Sequence, residues 1–344
     1  MPIASDRTFW LPPQVSTAGE TTDALFHFIF WVALVFFSLI VALMIVFVVR
    51  YLRREGRPAQ PSASHSLPLE LTWSGIPLVL VIVIFYMGFK SFVSLSTPPV
   101  NAYKITVTGQ KWSWAFEYPN GHSDSELHVP VDRDVLLTLQ SMDVIHSLFI
   151  PAFRLKKDVV PGRYNKMWFR ATRPGEYRIF CAEYCGTGHS DMLSQCIVHE
   201  PGGFETWLEN ADPLKKLTPE QYAEYLADPV AFVTNHPEIK GLETPVEMGR
   251  KLYAKKGCAQ CHSSDGKGGT GPTFQGSFGA THTLKDGGTV RVDENYIRES
   301  ILEPLAKVRA GFDPVMPTYQ GRLKDRDIAA LIAYIESLAK KDQG

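Results

Sequence analysis

The chain has 344 residues and 38.5 kDa, of which 45% are hydrophobic and 21% charged, a balance that excludes a disordered tail or a coiled coil. Lys+Arg 35 against Asp+Glu 36 leave a formal net charge of -1, so no nucleic acid of the kind bound by broadly basic surfaces is expected as a partner. Five cysteines are too few for a disulfide-dense secreted scaffold, and four stand in two close pairs, Cys181/Cys185 and Cys258/Cys261, with histidines nearby.

From Ala24 to Val49 there is no Asp, Glu, Lys or Arg, and a second uncharged run extends from Leu71 to Phe89, ending at Lys90. A bilayer core needs about 20 apolar residues of helix, so both runs are long enough to span it. The expectation is a transmembrane helical hairpin over 23–97, with helices at about 24–50 and 71–92 and a short segment, 1–22, before them. A cleaved leader does not fit the first run, because Glu20 and Asp23 stand where a basic flank belongs. Between the helices lie Arg50, Arg53, Arg54 and Arg57 against Glu55, which places that loop in the cytoplasm. The segment 1–22 and everything after Lys90 then face the extracytoplasmic side of the membrane.

Residues 98–205 read as strands. Tyr103–Gly109 alternates, and Trp112, Trp114, Phe116 and Tyr118 recur at period two. Further runs at Glu126–Pro130, Asp134–Gln140, Tyr164–Arg170, Glu176–Cys181 and Leu193–His199 are separated by turns such as Pro161-Gly162 and Pro174-Gly175. Short strands at this spacing predict an antiparallel sandwich or barrel. A connector rich in acidic residues follows at 206–243, where Thr218-Pro219-Glu220 opens a short helix. The last unit, 244–344, is helical. Val246–Lys256 stops at Gly257, a Gly-rich loop covers 266–271, and a helix spans Glu294–Leu302. A final amphipathic helix, Lys324–Lys341, carries Ile328, Leu331, Ile332, Ile335 and Leu338 on one face.

The strand unit contains Cys181-Ala-Glu183-Tyr-Cys185-Gly-Thr-Gly-His189-Ser-Asp-Met192. Thiolate and thioether are soft ligands that favour copper. Two cysteines four apart suit two coppers bridged by both sulfurs. Each copper then needs an imidazole, and His146 in Asp143-Val-Ile-His146-Ser-Leu supplies the one that this loop lacks. The helical unit contains Cys258-Ala-Gln-Cys261-His262, the covalent attachment signature of c-type haem, with Asp313-Pro-Val-Met316-Pro downstream. His262 and Met316 are the expected axial ligands; His/Met ligation raises the potential and leaves no open site for oxygen. His282 and Met248 are the rival sixth ligands.

Residues 20–205, including Lys157-Asp158, Pro161-Gly162-Arg163 and Arg173-Pro174-Gly175, resemble the copper A subunit, subunit II, of haem–copper cytochrome c oxidases. With the attached haem unit the chain is similar to the caa-type enzymes. The resemblance implies a multidomain membrane protein: a two-helix hairpin, an all-β cupredoxin sandwich and an all-α class I cytochrome c. It implies that Cys181 and Cys185 bridge two coppers, completed by His146 and Met192 on one and by His189 and the Glu183 carbonyl on the other. The Glu183 side chain would reach a magnesium shared with subunit I. Trp112 would be where electrons arrive from a cytochrome c, although strand alternation alone explains it equally well. Glu70, three residues before Trp73, would mark the mouth of a proton path, although a carboxylate there is also an ordinary helix cap. Cys196 reads as a small buried hydrophobe. Lys251, Lys255 and Lys256 lie on the helix before the haem motif, where they would meet an acidic donor, the acidic linker or only solvent.

The implied function is electron transfer from a donor, such as a cytochrome c or a quinol-oxidising complex, through haem c and copper A to subunit I of a proton-pumping oxidase, with subunit III as a further partner. No oxygen-reducing site lies in this chain. A membrane-anchored shuttle and the copper A subunit of a nitric oxide reductase are the alternatives; a quinol oxidase subunit is excluded by the copper ligands.

Overall fold

The computed structural model describes residues 11–56, 63–239 and 241–339; Arg57, residues 1–10 and the expected helix end at Lys341 lie outside them. Helices α1 (Thr17–Tyr51) and α2 (Leu67–Ser96) run past both ends of the apolar stretches. Polar residues extend them: the Ser16 hydroxyl accepts the Gly19 N–H at 3.2 Å, Glu20 lies in the first turn and Arg50 in the last. Their most apolar windows have mean hydropathies of 3.3 and 2.2 and are unburied by protein. Helices apolar on every side and unburied require an apolar solvent, which the bilayer provides.

Ten strands follow: β1 (Tyr103–Gln110), β2 (Ser113–Glu117), β3 (Ser123–Asp124), β4 (Leu127–Pro130), β5 (Asp134–Ser141), β6 (His146–Ile150), β7 (Leu155–Val159), β8 (Asn165–Arg170), β9 (Gly175–Cys181) and β10 (Leu193–His199). They form two five-stranded sheets, β3-β2-β1-β5-β8 and β4-β10-β9-β6-β7, packed as a cupredoxin-like sandwich. The antiparallel expectation needs correction: β1 pairs parallel with β5, and β10 pairs parallel with β4. The chain leaves one sheet after β3 and returns to it at β5, and such a crossover brings strands together in the same direction. Three strands carried no alternation to read. In β6, His146, Ser147, Leu148 and Ile150 are all buried, so both faces are covered; β3 is two residues long; β7 holds Lys156, Lys157 and Asp158 between its buried ends. Phe116, Leu137, Leu148, Ile150, Phe153 and Phe169 fill the space between the sheets. Trp112 stands in the turn before β2 and not within it.

The sandwich rests on the helix ends. Arg154 Nε bonds Asp23 at 2.7 Å, and Trp168 Nε1 donates to the Ser94 carbonyl at 3.0 Å. Beyond it come α3 (Gly203–Asn210), α4 (Pro219–Ala227), α5 (Pro229–Asn235), α6 (Pro245–Lys255), α7 (Glu294–Leu302) and α8 (Asp325–Ser337). Thr218 and Thr244 each begin a helix with a reciprocal capping box and a proline in its first turn. Gly257, at φ 78, follows α6. The C-terminal unit is not wholly helical, because a hairpin of β11 (Thr281–Thr283) and β12 (Thr289–Arg291) lies between α6 and α7. α8 ends at Ser337 with Leu338 as its cap. Its Ile328, Leu331, Ile332 and Ile335 are buried with Ile297 and Ile301 of α7.

At the crossing of α6 and α8 the backbones nearly touch. A Cβ on Gly249 would stand 1.9 Å from the Ala330 carbonyl oxygen. Gly249→Ala therefore has to push two helices apart, and overpacking of this kind costs about 3 kcal/mol. The calorimetric transition of the C-terminal unit should fall by about 15 °C. An unchanged transition would mean that the helices do not cross at this glycine.

Candidate functional site

Two sites face one another across a single turn. The first is built at one end of the sandwich. β6 begins with His146, β9 ends with Cys181, and the loop between β9 and β10 carries Cys185, His189 and Met192. The ligating atoms of His146, Cys181 and Cys185 lie within 4.8 Å of one another, and all three residues are buried. The two sulfurs are 3.9 Å apart and unbonded. His146 Nδ1 is 3.9 Å from Cys181 Sγ, and the Glu183 carbonyl is 3.3 Å from the same sulfur. His189 Nδ1 and Met192 Sδ lie 3.5 and 3.9 Å from Cys185 Sγ. Two thiols, two imidazoles, a thioether and a carbonyl thus converge, with His146, Cys181, Cys185 and Met192 buried and His189 half-buried, a soft donor set suited to copper and ill suited to magnesium or calcium.

Asp143, to which the sequence reading assigned no role, orders this end. His146 Nε2–H donates to Asp143 Oδ1 at 2.8 Å, which fixes the tautomer and leaves Nδ1 to the metal side. The other carboxylate oxygen accepts the Lys111 N–H at 2.8 Å, so one side chain holds both the histidine and the turn bearing Trp112. Its visible signal was a carboxylate three residues before a ligand histidine. Burial disfavours the His146 cation, but the bonds to Asp143 and Cys181 outweigh it and hold the ring's pKa above the usual value. Burial likewise opposes the Cys181 thiolate, and the hydrogen bonds from His146 and the backbone overcome that; Cys185 is pushed up by burial and by Cys181.

The second site is a largely apolar cavity lined by Cys258, Cys261, His262 and Met316 together with walls such as Phe274 and Leu331. His262 Nδ1–H donates to the Pro272 carbonyl at 2.8 Å and leaves Nε2 for an iron. Burial lowers the pKa of this imidazole and so favours the neutral form, the one that ligates. Two unpaired thiols, a buried neutral histidine and a methionine sulfur fit c-type haem. Neither His282, on β11, nor Met248, on α6, lines the cavity.

Trp112 belongs to both sites. Its Nε1–H donates to the Cys185 carbonyl at 3.2 Å, and its ring lines the cavity beside Cys258. A Cβ on Gly188 would approach the indole to 2.6 Å, so the glycine between Cys185 and His189 lets the ring lie against the ligand loop. The remaining expected residues are less engaged. Glu183 projects an exposed side chain and belongs to no cluster of three potential metal ligands among the described residues. Glu70 caps α2 by accepting the Ser66 N–H at 3.1 Å, 3.7 Å from His65 Nδ1. Cys196 is fully buried in β10, where burial raises its thiol pKa.

Comparison with known proteins follows the same division. The family described as "Cytochrome C oxidase subunit II, transmembrane domain" matches residues 4–92, the periplasmic domain of that subunit matches 121–199, and "Cytochrome c" matches 246–339. A cytochrome c oxidase subunit 2 of Alkalihalophilus pseudofirmus is 29% identical over 86% of this chain and 81% of its own. One from Thermostichus vulcanus is 31% identical over 57% of this chain and 77% of its own. The crystallised periplasmic domain of subunit II of Bradyrhizobium japonicum cytochrome oxidase is 32% identical, covers 33% of this chain and 96% of that one, and has a TM-score of 0.32.

Proposed function

The chain belongs to the cytochrome c oxidase subunit 2 family, with a cytochrome c domain fused behind it, and from that premise we propose that electrons cross it from haem c to copper A by way of Trp112. One observation carries this reading: the indole that lines the cavity of Cys258, His262 and Met316 is bonded to the Cys185 carbonyl. When bound, haem c in the cavity and the copper pair between Cys181 and Cys185 supply one-electron chemistry without an open position for oxygen. His146, His189, Met192 and the Glu183 carbonyl would hold the copper pair together with the two thiolates, and His262 and Met316 would hold the haem iron. Asp143 keeps His146 in its ligating tautomer, and the sandwich frame limits the rearrangement that accompanies a change of charge. α1 and α2 anchor the chain in the bacterial inner membrane with both sites on the periplasmic side. Subunit I, with subunit III, takes the electrons to reduce oxygen and pump protons; Glu183 offers a magnesium ligand at the subunit I face, and Glu70 a proton acceptor at the cytoplasmic end of α2.

Mild-detergent solubilisation should bring the chain down together with a haem–copper subunit, and the complex should consume oxygen when supplied with a reduced cytochrome. A chain that purifies alone with both cofactors would be a membrane-anchored shuttle. A complex that reduces nitric oxide in preference to oxygen would instead mark a nitric oxide reductase subunit.

A further inference from the structure

Of the lysines before the haem motif, Lys251 is exposed and pairs with Glu243 at the end of the connector, whereas Lys255 reaches across to the sandwich. Lys255 Nζ lies 3.2 Å from both carboxylate oxygens of Asp124 in β3 and 3.8 Å from Glu126 Oε2, bridging the C-terminal unit to the sandwich. Asp124, Glu126 and His128 form an acid–histidine cluster apart from the copper ligands, and the Lys255 ammonium fills the place a cation would take there. The Asp124 side chain is 10% exposed and Lys255 is 44% exposed, so the pair is shielded on one side only. Around it the two units meet at further points. Gln260 Nε2 donates to the Asp191 carbonyl at 3.3 Å, Gly257 stands against Ser113, and Cys261 packs on the sandwich core. Arg326 of α8 forks onto both oxygens of Asp212, at 3.0 Å each, behind α3. Trp112, 9% exposed, is closed in by these contacts.

We propose that Lys255 is a positioning residue that latches the cytochrome domain onto Asp124 and Glu126, seating the haem cavity over Trp112 and closing that tryptophan to outside protein donors. The inference rests on the electron path proposed above and adds an order to it: a protein donor reaches copper only through haem. The transfer it serves moves one electron, from haem iron that a one-electron protein donor has reduced to the oxidised copper pair, and it moves no proton.

Lys255→Glu in the full chain places a third negative charge beside Asp124 and Glu126. The fraction of molecules in the seated state limits the rate, so internal transfer from haem to copper should slow by about tenfold. Because the new interaction is a repulsion, added salt should speed the variant, whereas salt should leave the parent unchanged or slow it slightly. Lys255→Arg should behave as the parent. Hydrogen exchange of the backbone at 188–191 and 257–262 supplies a readout independent of turnover, and should rise in Lys255→Glu and not in Lys255→Arg. Soluble reduced cytochrome c should reduce copper directly in Lys255→Glu alone. Copper and haem contents of the same samples keep the two readings apart: a parent chain that binds neither group overturns the electron path. Loaded Lys255→Glu protein with parental exchange, rate and salt slope overturns the latch alone.

Discussion

Replacing Cys185 by serine is expected to abolish the copper pair. A hydroxyl is a hard, protonated donor at neutral pH and cannot bridge two coppers as a thiolate does. Cys185 Sγ also lies within 3.9 Å of Cys181 Sγ, His189 Nδ1 and Met192 Sδ, so its loss leaves three donors without their common centre. Removing an outer partner of a metal ligand already costs about 10–100-fold in affinity, and a bridging ligand should cost more. Copper should fall from two per chain to less than one, and oxygen reduction through this subunit should drop to background, while the haem spectrum stays intact. Met192→Leu sets the contrast. It removes a weaker, fully buried ligand and should keep both coppers at a changed potential. Two coppers per chain in purified Cys185→Ser would refute the ligand assignment.

Met316→His should produce the second large change. Thioether ligation favours reduced iron, and exchange for imidazole lowers the potential. A fall on the order of 200 mV is a modest part of the range of about 0.8 V that axial ligands span. At about 59 mV per tenfold for one electron, the donor's ability to reduce this haem would weaken by roughly three orders of magnitude. The haem should remain attached through Cys258 and Cys261, and the absorbance of the sulfur–iron bond should vanish. Met316 lies in a loop between Pro314 and Pro317 on the cavity wall. An unchanged spectrum and potential would place another residue at the sixth position.

The residues that meet at the two sites were legible because their chemistry is local: Cys181 to Met192 and Cys258 to His262 are contiguous segments, and only His146 and Met316 had to be supplied from a distance. The transmembrane runs were legible for the same reason. The parallel pairings of β1 with β5 and of β4 with β10 were not, because they arise from a crossover between sheets and leave no mark on either strand. β6 escaped because strands covered on both faces lose the period of two. The most consequential omissions were long-range polar pairs. Asp143 was quoted only as a neighbour of His146, and Lys255 read as one of three lysines on a helix; its partners Asp124 and Glu126 lie far back along the chain in another unit. Trp112 could be read from strand alternation or from family resemblance, and neither showed that it touches both sites.

Internal transfer decides the matter most directly. In the full, cofactor-loaded chain, haem is reduced by a flash and the copper absorbance is followed at several protein concentrations. A tether holds the two sites at an effective concentration of about millimolar, so a rate through Trp112 does not depend on dilution. The expected result is one rate at every concentration, strongly slowed in Trp112→Leu. A rate that scales with concentration, or one that Trp112→Leu leaves unchanged, would contradict electron passage within the chain from the haem cavity to the copper site.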